Sequence, residues 1–170
     1  MPQIHVCPLS KIPDTVRSTG ARTMVTLINR GTEVVRPPEI PEARHLFVAM
    51  SDIVLAEDGQ ILPAETHVET MLAFVRRWDR VDPLLIHCYA GVSRSTAAAF
   101  ITACALNASR PEREIAQEIR TRSPTATPNA LMVEIADRVL GREGRMIEAV
   151  REIGRGRDCY EGVPFALDLV

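Results

Sequence analysis

The chain has 170 residues, 46% hydrophobic and 25% charged, with 20 Lys+Arg against 22 Asp+Glu and a net charge of −2. That length predicts one domain, able to bury about 70% of its unfolded surface without help from a disulfide or a metal. Balanced charge and few aromatics (one Trp, two Tyr, four Phe) exclude a dedicated nucleic-acid binder, which carries a basic excess and stacking platforms.

Four short apolar runs read as buried strands, at residues 3–9, 24–28, 45–50 and 84–88. Between the last two, Pro63-Ala64-Glu65 opens a helix to about residue 79, with Val68, Met71, Leu72 and Val75 on one face. A second helix covers about 94–107 and is crowded with alanine. A third starts near Pro111 and stops before Pro124. A fourth runs from about Pro128 to Gly141, and a fifth covers about 143–153. Strands alternating with helices, then a helical half, predict an α/β fold: a central, mostly parallel sheet of four to five strands flanked by helices. Residues 1–155 are expected to form a single domain. Residues 156–170 form a tail, either packed on the body or partly disordered.

No membrane helix is expected, because the longest apolar stretch is about residues 97–106 and a span needs roughly 20. The first residues lack a basic segment followed by an apolar one, so no secretory signal is read there. Cys7, Cys88, Cys104 and Cys159 form no CxxC pair, which indicates neither a disulfide framework nor a zinc site. A reducing, cytoplasmic setting fits. His5, His45 and His67 have no partner at metal spacing and read as structural. The arginines between 138 and 157 alternate with Glu143, Glu148 and Glu152, the pattern of a solvated helix face.

One segment carries chemistry: Leu84-Leu85-Ile86-His87-Cys88-Tyr89-Ala90-Gly91-Val92-Ser93-Arg94-Ser95-Thr96. A buried strand ends at His87-Cys88, a short loop follows, and a helix begins at Arg94. Ligands bind at the carboxyl ends of parallel strands, and a helix N-terminus offers free amides to an anion. Seven residues from Cys88 to Arg94 suffice to curl around a tetrahedral oxyanion, with the amides of Tyr89, Ala90, Gly91, Val92, Ser93 and Arg94 pointing inward. The Arg94 guanidinium closes the ring. At the base, Cys88 sits where every neighbour stabilises negative charge, which favours a thiolate nucleophile. Ser95 can donate to the sulfur, and His87 can tether the loop. The spacing alone is weak evidence, since Cys104 and Arg110 share it. That second pair lies within a helix, lacks the glycine and the flanking serines, and reads as core.

The stretch from His87 to Ser95 resembles the H-C-x5-R-[ST] signature of the cysteine-based protein tyrosine phosphatases, especially the dual-specificity branch and its compact bacterial members. The run His45-Leu46-Phe47-Val48-Ala49-Met50-Ser51-Asp52 is similar to the strand and loop that deliver the family's general acid. Pro128-Asn129 is similar to a helix start found there. The resemblance spans about residues 24–144 and implies a phosphocysteine intermediate, no metal and no cofactor. It implies as partner a phosphorylated protein, carrying phosphotyrosine or also phosphoserine and phosphothreonine, or a small phosphate ester. Oxyanions should occupy the loop.

A proton donor is needed to expel an alkoxide or aryloxide. Asp52 follows the third strand directly, 36 residues before Cys88, and is the preferred general acid. Asp58, 30 residues before, is the alternative, but it precedes Gly59, and Asp-Gly explains itself as a turn. Asn129 suits a helix N-cap and, by the resemblance, also borders the site. Two other readings stand beside a protein phosphatase. One is the same chemistry on a phosphoinositide, RNA or small-molecule phosphate; the other is a phosphate-binding module with little turnover.

Overall fold

The computed structural model of the chain describes residues 1–169. The strands are β1 (Gln3–Pro8), β2 (Thr23–Ile28), β3 (His45–Ala49), β4 (Leu84–Cys88) and β5 (Phe165–Asp168). The helices are α1 (Ile12–Thr19), α2 (Glu65–Arg76), α3 (Arg94–Leu106), α4 (Glu112–Arg122), α5 (Ala130–Val139) and α6 (Arg145–Ile153). The strands make one sheet in the order β3-β2-β4-β1-β5. The first four run parallel, and β5 pairs antiparallel with β1 at the edge.

Alternation along the strands divides the core in two. Ile4 and Val6 of β1, Val25 and Leu27 of β2, and Leu84 and Ile86 of β4 face the larger layer, with residues of α2 to α6. Cys7, Met24 and Leu85 face the smaller one, covered by Ile12 and Val16 of α1 and by Ile40. Helix α3 lies inside the larger layer, with every residue from Arg94 to Cys104 buried. Its alanines explain this: small side chains let a helix approach the sheet while other helices pack on its remaining faces.

Strands and long helices fall where the sequence places them, within a few residues. Two elements do not. Helix α1 carries Pro13 in its first turn and buries only Ile12, Thr15 and Val16, too few to reveal a helical period. The tail, for which packing and disorder were both open, packs: β5 follows Pro164 and matches Val6 with Phe165 and Gln3 with Asp168. The arginine-rich face needs a correction as well. Arg142 is buried, and its Nη1 donates to Glu112 at 2.8 Å while its Nη2 donates to the Cys104 carbonyl at 2.7 Å. It joins α4 to the end of α5 instead of facing solvent.

Candidate active site

Strand β4 lies between β2 and β1, and its carboxyl end delivers Cys88 to an open cavity of about 430 Å³. Asn29, Asp52, Tyr89, Val92, Ser93, Arg94 and Cys159 share that cavity with it. Cys88 itself is 2% exposed. Its Sγ lies 3.1 Å from Ser95 Oγ and receives the Gly91 amide at 3.3 Å. The serine hydroxyl donates once the sulfur is ionised.

The carbonyls of the loop are tied outward. His87 Nδ1 meets the Cys88 carbonyl at 3.1 Å, and the Leu9 amide meets that of Tyr89 at 3.0 Å. The Gly162 amide donates to Ala90 at 2.7 Å, Thr127 to Val92 at 2.9 Å and Asn129 to Ser93 at 3.2 Å. A trans peptide places its N–H opposite its C=O, so amides 89, 90, 91, 93 and 94 turn the other way. Among the described residues, the amides of Tyr89, Ala90, Val92, Ser93 and Arg94 have no protein acceptor. They form a concave nest of donors at the start of α3. Gly91 is required at its place. Its φ is +70°, and a Cβ there would stand 2.8 Å from the Pro8 nitrogen.

Arg94 is 6% exposed, and one edge of its guanidinium is held. Nη1 donates to Asn29 Oδ1 at 2.6 Å and to the Met50 carbonyl at 2.8 Å. Nε is buried with no partner among the described residues. A buried donor without an acceptor is costly. Here it belongs to the Nε edge, which is free to grip two oxygens of one anion.

Asp52 faces the same cavity. Its Oδ1 accepts from Ser93 Oγ at 2.7 Å and from Asn129 Nδ2 at 3.1 Å. Asn129 Oδ1 meanwhile caps α5 by accepting from the Met132 amide at 3.0 Å. One side chain thus caps α5 and also contacts Asp52. Asp58 lies apart, exposed, in the turn closed by the Gln60 amide on the Glu57 carbonyl at 3.1 Å. Cys104 is in the interior of α3, and burial pushes its thiol up to about 12. Cys7, behind the loop on β1, is likewise pushed up to about 12, by burial first.

His87 is fully buried on β4, and desolvation lowers its pKa to about 4. It is therefore neutral, and its contacts fix the tautomer. Nδ1 meets a carbonyl and must carry the hydrogen, so Nε2 accepts from the Thr26 hydroxyl at 2.7 Å. Thr26 Oγ1 in turn accepts from His45 Nε2 at 2.7 Å. His45, at the start of β3, is thus joined to the Cys88 carbonyl through two buried groups.

Sequence reasoning missed Asn29, Thr26, Thr127, Leu9 and Gly162. Each reaches the site from a distant segment and has no local signature; Asn29 and Leu9, at the carboxyl ends of β2 and β1 in a parallel sheet, carried only a positional hint.

No family model matches the sequence, and no curated protein is detectably related to it. Its fold is found among solved structures. DUSP15 superimposes with a TM-score of 0.65 at 15% identity, over 90% of this chain and 91% of the other. The chain has the dual-specificity phosphatase fold. Human DUSP28 matches with a TM-score of 0.62 at 16% identity, over 88% and 94% of the two chains. The PTP-2 phosphatase of Cydia pomonella gives 0.59 at 21% identity, over 78% and 83%. Within the dual-specificity phosphatase fold, Cys88 stands at the carboxyl end of a central strand, ahead of the buried helix.

Proposed function

We propose that the chain is a cysteine-dependent phosphoric monoester hydrolase of the protein tyrosine or dual-specificity type. One observation carries this reading. A cysteine sulfur stands at the floor of a nest of amides, beside the buried Nε of Arg94, and among the described residues neither those amides nor that Nε has a protein acceptor. That arrangement suits a trigonal-bipyramidal phosphoryl group better than a carbonyl or a planar anion. Cys88 Sγ attacks phosphorus and forms the S–P bond as the ester oxygen leaves. Asp52 protonates the leaving oxygen. The amides of residues 89–94 and the Nε edge of Arg94 stabilise the equatorial oxygens. Asp52 then removes a proton from water, which attacks phosphorus and releases phosphate, and Ser95 donates to the departing thiolate.

The substrate in this reading is a phosphorylated protein or a small phosphate ester. Arg94 is the only basic side chain lining the cavity among the described residues, which favours a monophosphate over a multiply phosphorylated inositol or RNA. No helix of the described residues is long and apolar enough to cross a membrane, and all four cysteines are free. A reducing cytoplasm suits such a thiol enzyme. Hydrolysis of para-nitrophenyl phosphate by the wild type, and its loss in Cys88→Ser, tests the reading. A wild type that binds vanadate without turnover would make the protein a phosphate-binding module instead.

A further inference from the structure

Residues 154–164 leave α6 as a strap without regular structure and lead into β5. The strap is anchored along its length. The Gly156 amide donates to Thr127 Oγ1 at 3.0 Å, and the Arg157 amide donates to the Pro124 carbonyl at 2.9 Å. Its third anchor is the Gly162 amide on the Ala90 carbonyl, at 2.7 Å. Gly162 lies so close that a Cβ there would stand 2.9 Å from the Gly91 oxygen.

The Ala90–Gly91 peptide is the one whose N–H points at the sulfur of Cys88, at 3.3 Å. It is trans, so its C=O faces away from the sulfur and toward Gly162. A peptide preceding a glycine in the left-handed region turns over easily, because glycine accepts either orientation. Turned over, it would aim the carbonyl oxygen at the thiolate and at any bound anion.

We infer that Gly162 is a positioning residue for the nucleophile: its amide holds the Ala90 carbonyl outward and so keeps the Gly91 N–H on Cys88. The effect on turnover rests on the phosphatase reading; the effect on thiol reactivity does not.

Two chains test it. One is Gly162→Ala. The other is a full-length semisynthetic chain, ligated at Cys159, in which glycolic acid replaces Gly162 so that an ester oxygen stands where the N–H was. An all-amide ligated chain is the reference, and Tyr160→Ala, an exposed strap residue, is the control. Iodoacetamide modification of Cys88 is followed by mass at pH 6.5 and 9.5, with para-nitrophenyl phosphate kinetics alongside. Loss of the hydrogen bond to the sulfur should lower the modification rate at pH 6.5 relative to that at pH 9.5 and lower kcat/KM by about tenfold, while Tyr160→Ala should match the wild type. Should Gly162→Ala fail to fold, the ester chain decides. A folded ester chain with the reference profile and kcat/KM would overturn the inference. A reference chain that hydrolyses no phosphate ester would sink the phosphatase reading, and the alkylation rates would still judge the role of Gly162.

Discussion

Ser93 donates its hydroxyl to Asp52 at 2.7 Å, so the loop that surrounds the cavity also grips the carboxyl across it. Asn129 holds the same oxygen, leaving Oδ2 as the atom free to carry a proton. On aryl phosphates Asp52→Asn should therefore lower kcat by roughly 10² to 10⁴, the usual worth of one general acid. The loss should shrink for leaving groups of low pKa, and the alkaline limb of the pH–rate profile should vanish. Asp58→Asn should keep both limbs. If Asp58→Asn flattens the profile and Asp52→Asn does not, the acid is misassigned.

Ser93→Ala removes a tether and leaves the Asp52 carboxyl in place. Its kcat should fall about tenfold, less than for Asp52→Asn, and the double variant should be no slower than Asp52→Asn alone. Rate losses that multiply would separate Ser93 from Asp52.

Cys88→Ser should abolish turnover and keep vanadate binding, measured by calorimetry. Cys104→Ala, deep in α3 with a thiol pushed up to about 12, should retain kcat within about twofold. Turnover should also survive EDTA, because loop amides and Arg94 meet the phosphate charge. Comparable losses in both cysteine variants would contradict the placement of the nucleophile.

Stability should fall on the acidic side of neutrality. His87 has its folded pKa lowered from 6.5 to about 4 by desolvation, so the unfolded chain binds the extra proton between those values. Stability is then complete above about pH 6.5 and drops as pH falls toward 4, by about 3 kcal/mol. His5, His45 and His67 are shifted downward by burial too and add in the same direction. Urea unfolding from pH 7.5 to 4.5 measures the slope. His87→Gln should be less stable at pH 7.5 and show a shallower slope; an unchanged slope would assign the effect to other groups.

The Glu112–Arg142 pair is nine-tenths buried on both sides. Arg142→Met leaves the outer guanidinium of Arg145, at 3.2 Å, as the one cation on Glu112 among the described residues. The loss should be about 3 kcal/mol in chemical unfolding, with kcat intact at 25 °C. Loss below about 0.5 kcal/mol would mean that Arg145 and solvent already neutralise the carboxylate.

What the sequence disclosed follows from how local each feature is. The strand, loop and helix around Cys88 occupy one continuous run, and every residue needed for a donor nest is adjacent in the chain. The four parallel strands were legible because each is a short apolar run; β2 and β4 are buried throughout, whereas β3, at the edge, buries only Val48. Helix α1 was not, since a proline and a mostly polar composition left only two aliphatic residues to mark its face. The central strand pairings, the bond between Asn29 and Arg94, and the strap across the loop join distant residues: Thr23 pairs with Leu84, Ile4 with Leu84, Asn29 with Arg94 and Gly162 with Ala90. No window along the chain contains such a pairing.

Helix α3 is sheathed by protein from Arg94 to Cys104. Counterions, which damp surface fields within about 8 Å at physiological salt, cannot gather along a sheathed helix. The positive pole at its first turn therefore acts on the cavity through protein, not through electrolyte. Anion affinity in this fold should depend on ionic strength only through the open mouth, so a fivefold rise in salt should weaken vanadate far less than it weakens an anion on an exposed arginine cluster.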